Sequence, residues 1–385
     1  MNIYLDNCAT TKVRDEVLTE IINTYSKDYG NPSSLHRMGL TVEKQINTAR
    51  KNVASLINAS EKNILFTSGG TESNNIAINS HMLKINKNNN IVTTIIEHAS
   101  IYNVFRQYEK KGYDVRYLDT DRNGFIDTNS LEKLVDEKTG LISIIYVNNE
   151  IGTIQKLDEI VKYVRNKNSN IKIHVDAIQA IGKIPIDVKK LNVDSMSFSS
   201  HKIHGPKGVG GLYISSKSNF EALMYGGGQE GSLRPGTENT PGIIGFGKAC
   251  ELIKNDFKEE VNKLNMLKSA YAKKLSESID DIIINSMLDN SGAPHVLSVS
   301  FKDVKAEVLV HYLENYDIYV STGAACSSKS DSISRTLEAI GLNENYINGT
   351  IRLSFGYFND IKDVDFTVDK IRESVEDIRK ITRLR

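Results

Sequence analysis

The segment SSHKIHGPKGVGG (199–211) places Lys202 between two histidines, His201 and His204, and continues into a glycine-rich turn. A lysine amine can form a Schiff base with a carbonyl group, and polar neighbours of this kind can hold an anion beside it. The alternative is a solvated basic loop, because the following residues GGLYIS have the composition of a strand. The polar residues at the other predicted strand ends therefore decide between the two interpretations.

A second segment, FTSGGTESNN (66–75), joins a predicted strand to a helix that we expect to begin near Ser73. Gly70 and Thr71 fall at this junction, where glycine lets the backbone approach a ligand and the helix N-terminus favours an anion. The pattern predicts a phosphate site, with an ordinary strand–helix turn as the alternative. It does not predict a nucleotide P-loop, because no Gly-Lys-Ser/Thr follows.

Three more predicted strands end in polar residues. His98 follows one strand in IEHAS, Asn149 follows another in VNNEIG, and Asp176 and Gln179 occur in HVDAIQA. A buried carboxylate needs a cation or hydrogen-bond donors, whereas the histidine has a structural alternative and asparagine is a common turn former. In open α/β sheets, ligands bind beyond the carboxyl ends of the strands, where all of these residues are expected.

One cofactor has a use for all of these groups. Pyridoxal 5′-phosphate needs a lysine for a Schiff base, an acid that holds the pyridinium proton, and a phosphate cradle. Lys202 meets the first need, and Asp176 meets the second with a charge-assisted bond that contributes about 1.5–3 kcal/mol. His98 would lie over the ring face, and Gln179 would reach the phenolic oxygen. Phosphate contacts are expected from Thr71, Ser199 and His201.

The elements that position these residues follow from the hydrophobic pattern. Helical patterns separate short β-branched runs at 63–67, 90–97, 114–120, 141–148 and 171–178. This alternation predicts an α/β protein with a mostly parallel sheet between helices. The pattern changes near residue 250, where a long charged helix over 257–279 precedes two strands and a closing helix. We therefore predict a large domain over 14–255 and a small α+β domain over 256–385 that includes residues 1–13.

Composition limits the partners and the compartment. The 385 residues include 48 basic and 48 acidic side chains, so no overall charge favours nucleic acid or an anionic membrane. No apolar run reaches the roughly 18 residues of a membrane span, and the N-terminus lacks the pattern of an export signal. The cysteines, Cys8, Cys250 and Cys326, are too widely spaced for a zinc cluster. We therefore expect a cytoplasmic protein without a metal site.

Motifs along the whole chain occur in a characteristic order: LDNCATT, GNPSSLHRMG, FTSGGTESNN, EHAS, VNNEIG, VDAIQ, SFSSHKIHGPKGVGGLY, GGGQE, RPGTEN and STGAACSS. Together they resemble the motifs of cysteine desulfurases of the NifS/IscS type, which are class V pyridoxal-phosphate enzymes. The resemblance implies the aspartate-aminotransferase-like fold, also called fold type I. It also implies a homodimer that converts L-cysteine to L-alanine. Such enzymes pass the sulfur to an acceptor protein of iron–sulfur cluster assembly or tRNA thiolation.

The resemblance also implies roles for individual residues. Lys202 would carry the cofactor, Asp176 would pair with its ring nitrogen, and His98 would stack on the ring and move protons. Gln179 and Asn149 would contact the cofactor or the substrate. The phosphate would be held by Gly70, Thr71, Ser199 and His201, and by the partner subunit's Thr237.

Two further residues complete the implied site. Cys326 lies in VSTGAACSSKSDS (320–332), whose small residues predict a mobile loop, as a sulfur carrier between two places requires. It would take the sulfur as a persulfide, while Cys8 and Cys250 are expected to be inert. Arg352 would bind the substrate carboxylate, for which a planar guanidinium suits better than a lysine amine.

The chain departs from the family at Gly231, where an arginine is common, and at Ile333, where a proline is common. No C-terminal extension of the scaffold-binding kind follows Arg385, so the resemblance leaves the sulfur acceptor open. Two alternatives remain at this stage, namely another class V enzyme (a selenocysteine lyase or an aminotransferase) and a catalytically silent docking partner. Cys326 argues against an aminotransferase, because transamination requires no thiol, and Lys202 argues against a silent partner.

Overall fold

The computed structural model describes residues 2–216, 220–322 and 334–383. The strands in these ranges are β1 (Ile3–Tyr4), β2 (Ile64–Thr67), β3 (Asn90–Thr94), β4 (Asp114–Leu118), β5 (Thr139–Ile145), β6 (Lys172–Asp176), β7 (Ser195–Ser199), β8 (Gly210–Ile214), β9 (Ile282–Ile284), β10 (Val296–Phe301), β11 (Ile318–Tyr319), β12 (Ser321–Thr322) and β13 (Thr350–Ser354). The helices are α1 (Asp15–Ser26), α2 (Arg37–Ser55), α3 (Gly70–Met82), α4 (Ala99–Lys110), α5 (Thr128–Leu134), α6 (Leu157–Lys167), α7 (Val188–Leu191), α8 (Thr240–Ser278), α9 (Ala306–Glu314), α10 (Arg335–Ala339), α11 (Glu344–Ile347) and α12 (Val364–Arg383).

A seven-stranded sheet with the order β2-β8-β7-β6-β5-β3-β4 forms the centre of the molecule. β7, β6, β5, β3 and β4 run parallel, and β8 is antiparallel to both of its neighbours. β5 and β6 are buried along almost their whole length, as expected for parallel strands that are covered on both faces. The predicted α/β class with a mostly parallel sheet is confirmed.

A second sheet, β12-β13-β10-β9, is antiparallel, and β1 pairs in parallel with β11. One hydrophobic core packs around the seven-stranded sheet, and another joins Ile3 in β1 to residues of the C-terminal third. The long helix α8 contributes Phe246 to the first core and Tyr271 to the second. The domain boundary predicted at 255/256 falls inside this continuous helix, and it stays a prediction.

The start of α8 differs from the sequence prediction. The pattern predicts a helix over 257–279, whereas the structure begins it at Thr240. The side chain of Asn239 accepts a hydrogen bond from the first-turn backbone (3.2 Å), which is a standard N-cap. A Cβ at Gly247 would lie 2.4 Å from Cα of Ala49, so this glycine lets α8 pack closely against α2. The glycine that weakens the helical pattern is therefore required by tertiary packing.

Three central strands end sooner than the sequence predicts, namely β3 at Thr94, β5 at Ile145 and β6 at Asp176. The residues beyond them form turns that polar side chains hold. Asn148, for example, accepts hydrogen bonds from backbone N–H groups two and three residues further on (2.9 and 3.0 Å). The polar residues of these segments therefore lie at the carboxyl edge of the sheet and not within its strands.

Candidate active site

Asp176 is the last residue of β6 and is 2 % exposed. Its Oδ2 accepts a hydrogen bond from Nδ2 of Asn74 (2.9 Å), and its Oδ1 accepts one from the backbone N–H of Ile178 (3.0 Å). Burial raises the pKa of this carboxyl, and the charges of His98 and Lys202 oppose the rise. Asp176 therefore interacts electrostatically with both His98 and Lys202.

Lys202 ends the short 3-10 turn that follows β7. Its Nζ donates hydrogen bonds to the backbone oxygens of Cys8 (2.5 Å) and Ala9 (2.8 Å), which lie just after β1. Nε2 of Gln179 donates to the same Cys8 oxygen (3.0 Å), so the lysine and the amide share one acceptor. The N-terminal segment thus forms one wall of the site, a feature that the sequence analysis missed.

His98 caps the N-terminus of α4. Its Nδ1 accepts the backbone N–H of Ser100 (3.2 Å) and lies 2.8 Å from the hydroxyl oxygen of the same residue. The hydroxyl oxygen of Ser100 accepts a hydrogen bond from Nδ2 of Asn74 (2.8 Å). The same Nδ2 also donates to Asp176. Because Nδ1 accepts the N–H of Ser100, any proton on the ring lies on Nε2 in this arrangement.

Asn74 is a residue of the candidate site that the sequence analysis missed. It is fully buried in α3, and its Oδ1 lies 3.0 Å from Nε2 of His174. The other ring nitrogen of His174 lies 2.8 Å from the hydroxyl of Ser195, and burial lowers the pKa of His174 to about 3. This neutral network holds the Asn74 amide against Asp176. The sequence did contain a signal for it, since Asn74 is four residues after Gly70 and a helix places both on the same face.

Gly70 begins α3 and faces the end of β7. A Cβ at this position would lie 2.2 Å from Cδ1 of Ile178 and 3.7 Å from Cβ of Ser199, so no larger residue fits without movement. The hydroxyl oxygens of Ser199 and Ser200 are buried and have no hydrogen-bond partner among the described residues. A buried hydroxyl beside a helix N-terminus is a donor set that fits a phosphate group.

The other predicted phosphate contacts differ in their surroundings. Thr71 and Thr237 are exposed to solvent, and in the described ranges no hydrogen bond joins Thr237 to the residues above. His201 is partly buried, and burial, together with the charges of Lys202 and Lys207, lowers its pKa to about 4. His201 can therefore donate a hydrogen bond to a phosphate without adding a positive charge.

Arg352 lies in β13 and is 3 % exposed. Its Nη1 donates to the backbone oxygen of Asn149 (2.8 Å), and its Nη2 forms an ion pair with Oδ1 of Asp6 (2.9 Å). Its Nε is buried and has no hydrogen-bond partner in the part of the chain that the structure describes. Arg352 of the second sheet is thus joined to the turn after β5, and its buried Nε–H is available to a further acceptor.

Cys326 lies outside the described residues. Cys8 and Cys250 are 2 % and 0 % exposed, and burial raises the pKa of both thiols. For Cys8, the charges of Arg352 and Lys202 oppose this rise. A buried thiol that stays protonated is a poor nucleophile, so neither of these two cysteines is suited to carry sulfur to another protein.

Among the described residues, no group of three or more His, Cys, Asp or Glu side chains could hold a metal ion. A cavity of about 370 Å³ lies beside α5 and α6, and none of the predicted site residues lines it. No helix in the described ranges is both long and apolar enough to cross a membrane. The cluster around Lys202 therefore remains the candidate site.

Residues 3–366 match the family model of aminotransferase class-V. The cysteine desulfurase IscS of Dictyoglomus turgidum (strain DSM 6724 / Z-1310) is 39 % identical over 381 residues, which are 99 % of this chain and 96 % of that protein. A solved NifS-like protein superposes with a TM-score of 0.91 at 39 % identity, covering 98 % of this chain and 100 % of that one. A structure of SspA in complex with cysteine has a TM-score of 0.77 and 31 % identity, covering 92 % and 98 % of the two chains. The likeness to each extends over nearly the whole length.

Proposed function

The chain belongs to the aminotransferase class-V family, and from this premise we propose that it is a cysteine desulfurase. It would convert L-cysteine to L-alanine and take the sulfur as a persulfide on Cys326. The observation that carries the proposal is the placement of the partly buried Lys202 near the buried Asp176 and Arg352, in a chain 39 % identical over nearly its whole length to a cysteine desulfurase. The relative whose structure contains cysteine supports this amino acid as the substrate.

Pyridoxal 5′-phosphate is the proposed cofactor, because the family depends on it and the residues present fit it. Lys202 would bind it covalently, and Asp176 would face its ring nitrogen. Gly70 and the unpartnered hydroxyl of Ser199 support a phosphate position at the start of α3, to which Thr71 and His201 would add contacts. When bound, the cofactor withdraws electrons from the carbon atoms of the substrate.

Asp176 is suited to hold a cationic partner. Both of its carboxylate oxygens accept N–H donors, which fixes the direction of the group, yet burial still raises its pKa. A positive charge nearby offsets the cost of a buried carboxylate and favours its ionised form. The residue would therefore keep a ring nitrogen protonated at neutral pH.

Arg352 and His98 would act on the substrate itself. The ion pair with Asp6 and the contact with Asn149 fix the guanidinium, and its remaining Nε–H supports a role in binding the substrate carboxylate. The Nδ1 contacts of His98 with Ser100 leave Nε2 as the nitrogen that would give up or take a proton. Asn149 would contact the cofactor or the substrate, and the bond that its backbone oxygen accepts from Arg352 supports its placement there.

The sulfur carrier would be Cys326, since the chain has three cysteines and the other two are buried with raised pKa values. From Cys326 the sulfur would pass to an acceptor protein of iron–sulfur cluster assembly or tRNA thiolation in the cytoplasm. The IscS names of the relatives support an iron–sulfur acceptor.

The functional unit would be a homodimer in which the partner subunit's Thr237 completes the phosphate site. The solvent exposure of Thr237 within one subunit supports this proposal. Large exposed apolar side chains also occur along α1, in the loop that follows it and at the start of α2, where they would gain from burial against a second copy. They include Leu18, Ile22, Tyr25, Tyr29, Leu35, Met38 and Leu40.

The test is to incubate the cofactor-loaded protein with L-cysteine and a reductant, and to measure alanine and sulfide. The wild type should release both in equal amounts. In a parallel incubation without the reductant, it should show a sulfur adduct on Cys326 by intact-protein and peptide mass. Cys326→Ser should release almost no alanine, because a serine hydroxyl is a far poorer nucleophile toward sulfur.

Cys250→Ala is the matched control, because it also removes a thiol but from a buried position. It should keep wild-type turnover. A keto acid in place of alanine would identify an aminotransferase, and a sulfur adduct on Cys8 or Cys250 would contradict the assignment of Cys326.

A further inference from the structure

A buried histidine is connected to Lys202 through one shared backbone oxygen. His295 lies just before β10 and is 2 % exposed, and its Nε2 lies 3.1 Å from Oε1 of Gln179. Nε2 of Gln179 donates to the backbone oxygen of Cys8 (3.0 Å), which also accepts from Nζ of Lys202 (2.5 Å). Because they share this acceptor, the nitrogens of Gln179 and Lys202 lie no further apart than the sum of these two distances, 5.5 Å.

These partners fix the orientation of the Gln179 amide. A backbone oxygen only accepts, so the amide nitrogen must face Cys8, and the reversed amide would bring two oxygens together. The amide oxygen then faces His295, which must donate from Nε2. Burial lowers the pKa of His295 well below its ordinary value, with help from the charge of Lys183, so the ring is neutral and its single proton lies on Nε2.

We propose that His295 is a positioning residue that, together with the Cys8 carbonyl, holds Gln179 so that it presents an N–H donor, and not its amide oxygen, to a group bound on Lys202. The amide nitrogen carries two hydrogens, and Cys8 takes only one of them. His295 does not touch the bound group and acts through Gln179. The inference rests on the function proposed above, in which that group is pyridoxal phosphate with a phenolic oxygen beside its reactive carbon.

His295→Asn and His295→Gln form a matched pair of variants. Both introduce a polar amide, but the asparagine side chain is one carbon shorter and loses the contact with Gln179, whereas the glutamine nitrogen reaches the position of Nε2. The measurement is the absorbance of the cofactor-loaded protein against pH. When the phenolic oxygen of the cofactor loses the N–H donor of Gln179, its negative charge is less stabilised and it keeps a nearby proton to higher pH. The pH at the midpoint of the absorbance change should therefore rise.

We expect His295→Asn to raise this midpoint by about one pH unit, which is a tenfold change in the equilibrium. His295→Gln should stay near the wild type, and so should His311→Asn, which changes an exposed histidine in α9. In a Gln179→Leu background, His295→Asn should add no further shift, because the route through Gln179 is gone. A wild-type midpoint in His295→Asn, or an equal shift in both backgrounds, would overturn the proposal.

Circular dichroism melting of the cofactor-free variants shows whether each one folds. If His295→Asn does not fold, His295→Ala provides the decisive measurement, because it also removes the Nε2 donor and leaves Gln179 in place. Its midpoint should rise in the same direction, and an unchanged midpoint refutes the proposal. A wild type that takes up no cofactor on Lys202 contradicts the proposed function and this inference with it.

Discussion

Ser199→Ala should make the cofactor-free protein more stable to unfolding and lower its affinity for the cofactor. Ser199 is 1 % exposed and lies beside Gly70 at the start of α3, and its buried hydroxyl has no hydrogen-bond partner among the described residues. A buried hydroxyl without a partner costs about 1–3 kcal/mol in proteins, so its removal should raise the free energy of unfolding by that amount. The same hydroxyl should donate to the cofactor phosphate when the cofactor is present.

The loss of that bond can be estimated. A hydrogen bond to a charged group contributes about 1.5–3 kcal/mol, so the dissociation constant of pyridoxal phosphate should rise about 10- to 150-fold. Chemical unfolding of the cofactor-free protein is followed by circular dichroism, because the chain contains no tryptophan. Calorimetric titration with pyridoxal phosphate gives the dissociation constant.

Ser195→Ala is the control, since it makes the same change on the same strand. The hydroxyl of Ser195 lies 2.8 Å from Nδ1 of His174 and 3.3 Å from Nε2 of His81, so its removal should destabilise the protein by about 1–3 kcal/mol. Its effect on the dissociation constant of the cofactor should be smaller than that of Ser199→Ala, because Ser195 would act on the cofactor only through His174, Asn74 and Asp176. If Ser199→Ala instead lowers stability and leaves the dissociation constant unchanged, Ser199 is a structural residue and the phosphate assignment is wrong.

Three further predictions concern the cofactor lysine, the dimer and a buried histidine. Borohydride reduction should attach the cofactor permanently to the protein, and mass spectrometry should detect the adduct in Lys207→Ala but not in Lys202→Ala. The reverse result would assign the attachment to Lys207. At low micromolar concentration the protein should sediment as a dimer, and Thr237→Ala should stay dimeric while its cofactor dissociates about tenfold more readily; an active, loaded monomer would contradict this. Burial lowers the pKa of His81 from 6.5 to about 4, so below pH 6.5 the unfolded chain binds a proton that the folded protein does not. The resulting contribution to the free energy of unfolding, about 3 kcal/mol, is present above pH 6.5 and is lost as the pH falls toward 4. Between pH 6.5 and 4, the free energy of unfolding should therefore fall more in the wild type than in His81→Gln. An equal fall in both proteins would show that His81 does not cause it.

The parts of the fold that could be predicted are those with local causes. The alternation of β-branched runs and helical patterns predicts the parallel sheet, because period and composition depend on neighbours in the chain. The positions of Asp176 and Lys202 follow in the same way, because both occur at the ends of adjacent strands, β6 and β7. Any mostly parallel sheet brings such residues to one edge.

The parts that could not be predicted depend on contacts between distant segments. The bond from Lys202 to Cys8 spans 194 residues, and the ion pair of Arg352 with Asp6 spans 346. Nothing in the segment LDNCATT marks its backbone oxygens as acceptors for a lysine. The start of α8 was missed for a related reason, since Gly247 is disfavoured in an isolated helix and is required here by the approach of α2.

The site contains two kinds of buried polar group, which differ in whether they have hydrogen-bond partners. Asn74, His174 and Ser195 satisfy one another, which makes them a fixed support for Asp176. Ser199 and the Nε of Arg352 are just as buried but have no partner in the described structure. Since native proteins rarely leave such groups unpaired, an unpaired atom beside Gly70 or Asn149 is a candidate to bind a ligand. By this criterion Ser199 and Arg352 mark where the phosphate and the substrate carboxylate should bind, and the paired variants of Ser195 and Ser199 test it directly.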